Sequence, residues 1–381
     1  MGPPLTRKLR VVTLLDRLRV GGAERFAVGL ANNLDPERFD SILCTTRPDE
    51  DTYEELDLAG GPLRRLALDR SSRAALGSWS PLIRLIRTER VDVLHAHMHG
   101  SNIWAAVLGR ALRVPVVIAT EHSWSFQGRP LRKGLDRHVV GRFCDAFAAI
   151  SAADRTRMIE VVGVPAERVP LMPLGLIPRA ERPYGRLLRT ELGIPPDAPV
   201  VSTLCMLRPQ KALDVLIRAF REVVAEHREA RLLIAGEGEE RGLLEATIAE
   251  TGLGSSVVLL GLVTDVGRVL RATDVYAQSS DWEGTPIVML EAMSAGLPVV
   301  STAVGGVPAL LGDSCGLLVP PRDPVALGQA INKLLADPNA RGEMGAAGRA
   351  QIAADYGFDH TVEAWQNLYT QLYARSRRGA R

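Results

Sequence analysis

Glu283 and Glu291 stand eight positions apart in the run Asp281 to Val300. Gly284, Thr285 and Pro286 follow the first carboxylate directly, and an apolar helical run carries the second. Glycine and proline at a loop-to-helix junction leave backbone N–H groups pointing outward. The helix dipole is positive there, so the junction suits an anion such as phosphate. Glu291 falls about two turns further along, where a carboxylate can accept hydrogen bonds from a polyhydroxy group. A loop and an amphipathic helix with two solvated glutamates would show the same spacing, but would leave the Gly-Thr-Pro turn unexplained.

Arg208 and Lys211 are a second candidate pair. Two cations three residues apart at a strand end can grip a diphosphate, the arginine through a forked contact and the lysine as a point charge. The chain holds only four lysines, which makes one at this place more informative. Gly21 and Gly22 follow the first strand and open a helix, where they permit tight turning and close approach of a ligand. Gly236 and Gly238 begin an incomplete G-x-G-x-x-G with Arg241 in the third glycine position, in mid-domain rather than at a first strand-to-helix turn. A nicotinamide-dependent oxidoreductase reading rests on that pattern alone and is poor. His95, His97 and His99 alternate; on an extended segment they would share a face and could bind zinc, but no acidic fourth ligand is near in sequence, and a loop at a strand end is the preferred reading. His122 also follows a strand, and its imidazole could hydrogen-bond a sugar or phosphate. There is no Gly-x-Ser-x-Gly, no Walker loop and no Asp-x-Asp suited to a divalent ion. Hydrolase and kinase readings therefore have no support, and cations and helix N-termini are expected to stabilise a leaving group in place of Mg²⁺.

The elements that must position these residues repeat as strand then helix. In the first half, strands are predicted at Leu9–Leu15, Phe39–Thr45, Val91–His95, Val114–Ala119, Phe147–Ser151 and Val169–Pro173, with helices from Gly22 to about Asn33 and from Asn102 to Leu112. The segment Pro178 to Pro199 is rich in proline and arginine and reads as a linker with one amphipathic helix. The pattern then restarts with strands at Val200–Leu204, Arg231–Ala235, Val257–Leu260, Val275–Gln278, Val299–Thr302 and Gly316–Val319, and a helix from Ala212 to His227. Short apolar strands alternating with helices argue parallel sheets covered on both faces. Two such units imply an α/β protein of two Rossmann-like domains, with ligands beyond the carboxyl ends of the strands and a site in a cleft between facing domains. A last helix, Asp359 to Arg375, carries Trp365, Leu368, Tyr369 and Leu372 on one face.

Length and charge set outer bounds. A chain of 381 residues is too long for one ordinary core. No run of 18 apolar residues suggests a transmembrane helix, the basic start is followed by too short an apolar run for a signal peptide, and a cytoplasmic location is expected. Cys44, Cys144, Cys205 and Cys315 are far apart and read as reduced thiols. Residues 1–180 hold 26 basic and 20 acidic side chains, a balance of +6, against 20 and 24, or −4, in the remainder. Arg129, Arg132, Lys133, Arg137 and Arg142 cluster around the single acid Asp136, and Arg375, Arg377, Arg378 and Arg381 make a basic tail. Such patches fit peripheral contact with an anionic membrane or a merely solvated surface. Nucleic acid is not expected, for no aromatic interleaving accompanies the charge.

Glu283-x7-Glu291 followed by Ala-Met-x-Ala-Gly-Leu-Pro-Val-Val resembles the signature of retaining, nucleotide-sugar-dependent glycosyltransferases of family 4 (glycosyl transferases group 1), which have the GT-B fold. Arg208 to Lys211 resembles that family's Arg-x-x-Lys-Gly element, with Ala212 where glycine is usual. The resemblance implies an acceptor domain at 1–180, a donor domain at 181–358 and a helix and tail, 359–381, packing back on the first domain. It implies a hexosyltransferase acting from a UDP- or GDP-linked sugar, without metal, onto a sugar or lipid-linked acceptor, as in bacterial polysaccharide or glycolipid synthesis. By the same resemblance Gly21 and Gly22 lie near donor phosphates or acceptor, and His122 faces the donor sugar. Gly236 and Gly238 line the nucleotide pocket, and Gly261, Leu262 and Val263 contact the base. Glu283, Gly284, Thr285 and Pro286 hold the sugar, Glu291 the ribose, and Arg208 and Lys211 the diphosphate. Pro173-Leu174-Gly175 departs from the usual Pro-Asn-Gly, and Ala309 stands where glutamate is common. These departures keep open a non-catalytic GT-B nucleotide-binding or scaffold protein.

Overall fold

The computed structural model describes residues 7–18, 21–48, 63–70, 76–122, 130–172, 174–177 and 187–379. The chain divides into two compact units, Met1–Ile177 with Phe358–Arg381, and Pro178–Gly357. Each unit holds one six-stranded parallel sheet.

In the first unit the strands are β1 (Leu9–Leu15), β2 (Phe39–Thr45), β3 (Arg64–Ala67), β4 (Val93–His97), β5 (Val116–Glu121) and β6 (Ala146–Ala149), in the order β3-β2-β1-β4-β5-β6. In the second they are β7 (Val200–Leu204), β8 (Arg231–Ala235), β9 (Val257–Gly261), β10 (Val275–Gln278), β11 (Val299–Thr302) and β12 (Gly316–Val319), in the order β12-β11-β10-β7-β8-β9. Both sheets reverse direction of winding beside their first strand, between β1 and β4 and between β7 and β10. Such switch points open a crevice beyond the carboxyl ends of the strands. The central strands β1, β4 and β7 are buried along nearly their whole length because helices cover both faces. Val12, Leu14, Leu94, Ala96, Val117 and Phe147 pack into one core of the first unit. Val201, Leu232, Ile234, Ala277 and Val300 do so in the second, beneath buried side chains of the helices Leu213–Glu226 and Pro324–Ala336.

The differences from the sequence reading have local causes. β4 begins at Val93 because the Asp92 carboxylate accepts the Arg10 N–H at 2.9 Å and the Arg7 guanidinium, which makes Asp92 a lead-in. β5 begins at Val116 because the Val114 N–H closes the preceding helix onto Gly109 and Pro115 has no N–H to give. The predicted strand Val169–Pro173 is reduced to one bridge, Ala149 to Leu171, since Pro170 lacks a donor; Pro173 lies outside the described residues. β3 was not foreseen. It is an edge strand with exposed Arg64, Arg65 and Ala67, so it carries no apolar run. The predicted linker at 178–186 lies outside the described residues, and the helix after it is short, Leu187–Glu191.

The last helix spans Phe358–Gly379 and belongs to the first unit. Its buried stripe is rotated from the expected face: Val362, Trp365, Gln366, Tyr369 and Thr370 are buried, while Leu368 and Leu372 are only half-buried. Polar groups tolerate that burial because each finds a partner. Gln366 accepts the Asp35 N–H at 2.9 Å, and Thr370 donates to carbonyls of its own helix. Among the described residues no helix is long and apolar enough to cross a membrane.

Candidate active site

The second unit gathers its candidate residues around the β7–β10 switch point. Arg208 caps a single 3-10 turn, Pro209–Lys211, after β7. Glu283 lies in the irregular segment after β10, ahead of the helix Ile287–Ser294. The two loops are laced together. Gln210 donates to the Trp282 carbonyl at 2.7 Å, the Asp281 N–H donates to the Gln210 carbonyl at 2.9 Å, and Ser279 Oγ donates to the Lys211 carbonyl at 2.9 Å. This brings Lys211 Nζ to 2.5 Å from Glu283 Oε1, with Ser280 Oγ donating to the same oxygen at 2.6 Å. The lysine and glutamate side chains are 19% and 7% exposed, so the pair is screened from water. Burial is the largest influence on Lys211 and lowers its pKa, but the charge of Glu283, the nearby Cys205 and the hydrogen bond to Glu283 together outweigh it and hold the ammonium above its usual value. The pair is therefore a fixed charge arrangement at a strand end. Ser280 was missed in the sequence; a hydroxyl three residues before Glu283 was its only signal.

Backbone geometry explains several residue types here. Ala212 adopts φ +46° and ψ 44°, the left-handed region, at the position where a glycine is usual in the resembled element. Gly305 adopts φ +55°, and a Cβ there would meet the Glu283 carbonyl at 1.8 Å, so this glycine lets the β11 loop press on the Glu283 segment. Gly236 and Gly238 are constrained from inside the protein. A Cβ on them would meet the carbonyls of Cys205 and Leu207 at 1.8 and 2.3 Å, so these glycines seat the turn after β8 against the loop after β7. Arg241, in the third glycine position, bonds Glu237 at 2.5 Å and Glu245 at 2.9 Å. Gly261 ends β9 with φ +71°, and Leu262 and Val263 follow it, both partly or fully exposed. Glu291 is the fifth residue of its helix, just over one turn in rather than two, because the helix begins only at Ile287; its residue is 8% exposed.

In the first unit, Gly21 precedes the helix Gly22–Asn32 at the end of β1. A Cβ at Gly21 would lie 2.4 Å from Glu24 Oε2, a residue 2% exposed, so the glycine leaves room for that carboxylate. His122 follows β5, and its Nε2 lies 3.0 Å from His97 Nδ1. His97 stacks near His95 with ring centroids 4.1 Å apart, and His95 bonds Tyr369 Oη and Thr120 Oγ1, both at 2.8 Å. Burial lowers the pKa of His95 to about 3 and of His122 to about 4, and that of His97 well below its usual value. All three rings are thus neutral at physiological pH. His97, not anticipated as a partner, is what orients His122.

The alternating histidines do not form a zinc trio. His95 and His97 lie within β4 rather than in a loop, while His99 starts the helix His99–Ala111 and turns to Asp136 at 3.0 Å. Among the described residues no three His, Cys, Asp or Glu side chains gather as a metal site would. The four cysteines are free, and burial pushes the thiols of Cys44, Cys144 and Cys205 up. Within the basic cluster, Arg132 turns inward to Glu121 at 3.1 Å and is 15% exposed, so it is not offered to a lipid surface. Arg129 and Arg381 lie outside the described residues.

Residues 186–351 match the family model described as Glycosyl transferases group 1, and residues 20–178 match that described as Glycosyltransferase Family 4. A D-inositol 3-phosphate glycosyltransferase of Stackebrandtia nassauensis is 31% identical over 74% of this chain and 69% of its own length. This chain is a group 1 glycosyltransferase family member. A second relative of the family, the GDP-mannose-dependent monoacylated alpha-(1-6)-phosphatidylinositol monomannoside mannosyltransferase of Corynebacterium glutamicum, is 34% identical over 47% of this chain; the alignment spans about half, 49%, of that relative's length. The Anabaena protein Alr3699/HepE, solved in complex with UDP-glucose, shares the fold at a TM-score of 0.85 and 20% identity, over 95% of this chain and 100% of its own. The family member described here thus has the two-unit GT-B architecture.

Proposed function

We propose that the chain moves a sugar from a nucleoside-diphosphate sugar to an acceptor hydroxyl with retention of anomeric configuration, in the synthesis of a surface polysaccharide or glycolipid. The observation that carries this reading is the Lys211–Glu283 pair at the β7–β10 switch point, beside the start of the helix Ile287–Ser294. The unit of β7–β12 takes the donor and the unit of β1–β6 the acceptor.

In this reading the bond from the anomeric carbon to the diphosphate oxygen breaks, and the acceptor oxygen bonds the same face. The acceptor proton passes to the departing diphosphate. Arg208 and Lys211 neutralise that leaving group in place of a metal ion, and the dipole of the helix Ile287–Ser294 adds to their effect. Glu283 and the backbone of Gly284–Pro286 hold the sugar, and Glu291 accepts from the ribose hydroxyls. The turns at Gly236, Gly238 and Gly261–Val263 border the nucleotide. His122, neutral and oriented by His97, is assigned to the oxocarbenium-like centre, and Gly21 and Gly22 to the phosphates. The relative from Corynebacterium is named for GDP-mannose and the Anabaena structure holds UDP-glucose, which keeps GDP and UDP as the two donor bases to test.

A thermal-shift panel of UDP, GDP, ADP and NAD⁺, with and without EDTA, tests the reading. A ligand at about 100 times its dissociation constant adds roughly 2.7 kcal/mol of stability. Stabilisation by one nucleoside diphosphate, unchanged by EDTA, is the expected result. Stabilisation by NAD⁺ alone, or by none of the four, overturns it.

A further inference from the structure

The loop after β12 carries an arginine that reaches both segments of the Lys211–Glu283 pair. Arg322 forks onto the Asp281 carboxylate, with Nε 2.6 Å from Oδ1 and Nη2 on Oδ2. Its Nη1 lies 3.9 Å from Asp214 Oδ2. Asp281 stands two residues before Glu283, and Asp214 three residues after Lys211, in the first turn of the helix Leu213–Glu226. One guanidinium thus lies between two carboxylates, one from the loop after β10 and one from the chain that continues the loop after β7.

The arginine is presented from a stiff base. Arg322 adopts φ +61°, the left-handed region. Pro320, Pro321 and Pro324 surround it in sequence, and Asp323 caps the helix Pro324–Ala336 by accepting the Ala326 N–H at 2.9 Å. Prolines fix their own φ, so the loop has little freedom left to lose when the fork forms. A non-glycine residue held at positive φ is strained, and such strain gathers where one geometry is required. The aspartate side is fixed as well. The Asp281 N–H donates to the Gln210 carbonyl at 2.9 Å, and Thr302 Oγ1 donates to the Ser280 carbonyl at 2.6 Å. Arg322 is 55% exposed, and an ion pair so open to water adds little to stability. Its consequence is geometric. Ser280, next to Asp281, donates to Glu283 Oε1 at 2.6 Å, so a shift of Asp281 passes to the glutamate through that hydrogen bond and the shared backbone.

We infer that Arg322 is a positioning residue for the sugar-holding carboxylate: its fork on Asp281, steadied by Asp214, fixes the Asp281–Glu283 segment against the Lys211 loop and sets where Glu283 stands. The inference rests on the transferase reading, which gives the sugar to Glu283 and the diphosphate to Arg208 and Lys211. The 3-10 turn Pro209–Lys211 keeps its own bonds, Lys211 N–H to the Arg208 carbonyl at 2.9 Å and Ala212 N–H to the Pro209 carbonyl at 3.1 Å. Arg322 therefore acts on the hold upon the sugar and hardly on the hold upon the nucleoside diphosphate.

Calorimetric titration of the full chain with UDP, UDP-glucose, GDP and GDP-mannose tests this on the wild type, Arg322→Gln, Arg322→Lys, Asp281→Asn and the double variant Arg322→Gln with Asp281→Asn. With the base that the wild type binds, Arg322→Gln should weaken the nucleotide sugar by about tenfold and the nucleoside diphosphate by less than about twofold. Arg322→Lys keeps the charge without the fork and should recover only part of the loss. The double variant should lose no more than the worse of the two single ones, because both break the same clamp. If Arg322→Gln fails to fold, Asp281→Asn removes the fork from the other side. Sugar binding untouched by either substitution, equal weakening of sugar nucleotide and diphosphate, or additive losses in the double variant overturns the inference. A wild type that binds a diphosphate but neither hexose form denies Glu283 its sugar and overturns it as well. A wild type that binds none of the four ligands sinks the transferase reading and this inference with it; one that binds them, with substitutions that leave the sugar untouched, sinks the inference alone.

Discussion

Lys211 Nζ and Glu283 Oε1 lie 2.5 Å apart although 72 positions separate the residues. Breaking a largely buried pair leaves an uncompensated charge, at a cost of about 3–5 kcal/mol. Lys211→Ala and Glu283→Gln are expected to lower kcat/KM by more than about tenfold, or ~1.4 kcal/mol of barrier. Steady-state kinetics with the donor named by the nucleotide panel checks this, and turnover within about threefold of wild type would exclude both residues from the transition state. Because the Lys211 pKa is raised on folding, its stabilising effect is complete below the unfolded value of 10.5 and is lost as pH rises through the higher folded value. Denaturation in that alkaline window should show a loss that Lys211→Ala lacks.

Ala212 holds φ +46° immediately after Lys211, with 2% of its surface exposed. A non-glycine residue in the left-handed region costs about 1–2 kcal/mol. Ala212→Gly should therefore stabilise the second unit by up to about 1 kcal/mol, after the greater entropy of the unfolded glycine is subtracted. A lower urea midpoint for the variant would show that the methyl group's packing outweighs the strain.

Gly305 presses against the backbone of Glu283 with no room for a Cβ. Gly305→Ala must displace the Glu283 segment, and at φ +55° it is strained as well. Weaker nucleotide affinity at a nearly unchanged melting temperature of the first unit is expected. Unchanged affinity in calorimetry would mean that the segment can move without disturbing the site.

His95, His97 and His122 are all neutral in the fold, with pKa values lowered by burial. Below the unfolded value of 6.5 the unfolded chain binds protons that the folded chain refuses, so stability falls as pH drops from about 6.5 toward 4. Each histidine contributes on the order of 2 kcal/mol of this loss by about pH 5. Urea midpoints of the first unit across that range should show the slope, and His97→Gln should flatten it. A stability independent of pH there would contradict neutral buried rings.

Tyr369 Oη anchors the last helix to His95, 274 positions away, at 2.8 Å. Tyr369→Phe leaves a buried ring nitrogen without that partner, at a cost of about 1–3 kcal/mol. The loss should fall on the first unit and leave nucleotide binding by the second unchanged. A variant as stable as wild type would mean that His95 finds another partner.

Much of this protein was legible locally. Runs such as Val200–Leu204 and Val275–Gln278 are mostly apolar and buried at every position, because strands of a covered parallel sheet are buried on both faces, and they were placed to the residue. Arg64–Ala67 was not, since an edge strand needs only backbone partners and its side chains face water. The start of the helix at Ile287 was set by Pro286 and the irregular loop before it, which moved Glu291 nearer to the helix start than spacing implied.

The sequence by itself determined the alternation of strands and helices, the doubling of that pattern, and the presence of charged and glycine-rich segments at strand ends. Those features depend on side-chain periodicity and backbone restrictions within a few residues. Only the tertiary structure decided that Glu283 meets Lys211 and Ser280, that His97 orients His122, and that the helix Phe358–Gly379 packs its Tyr369 on β4. Apart from Ser280, which stands three residues before Glu283, these contacts join segments that follow different strands or belong to the last helix, so they depend on strand order and helix packing, which hydrophobic patterning along the chain does not encode.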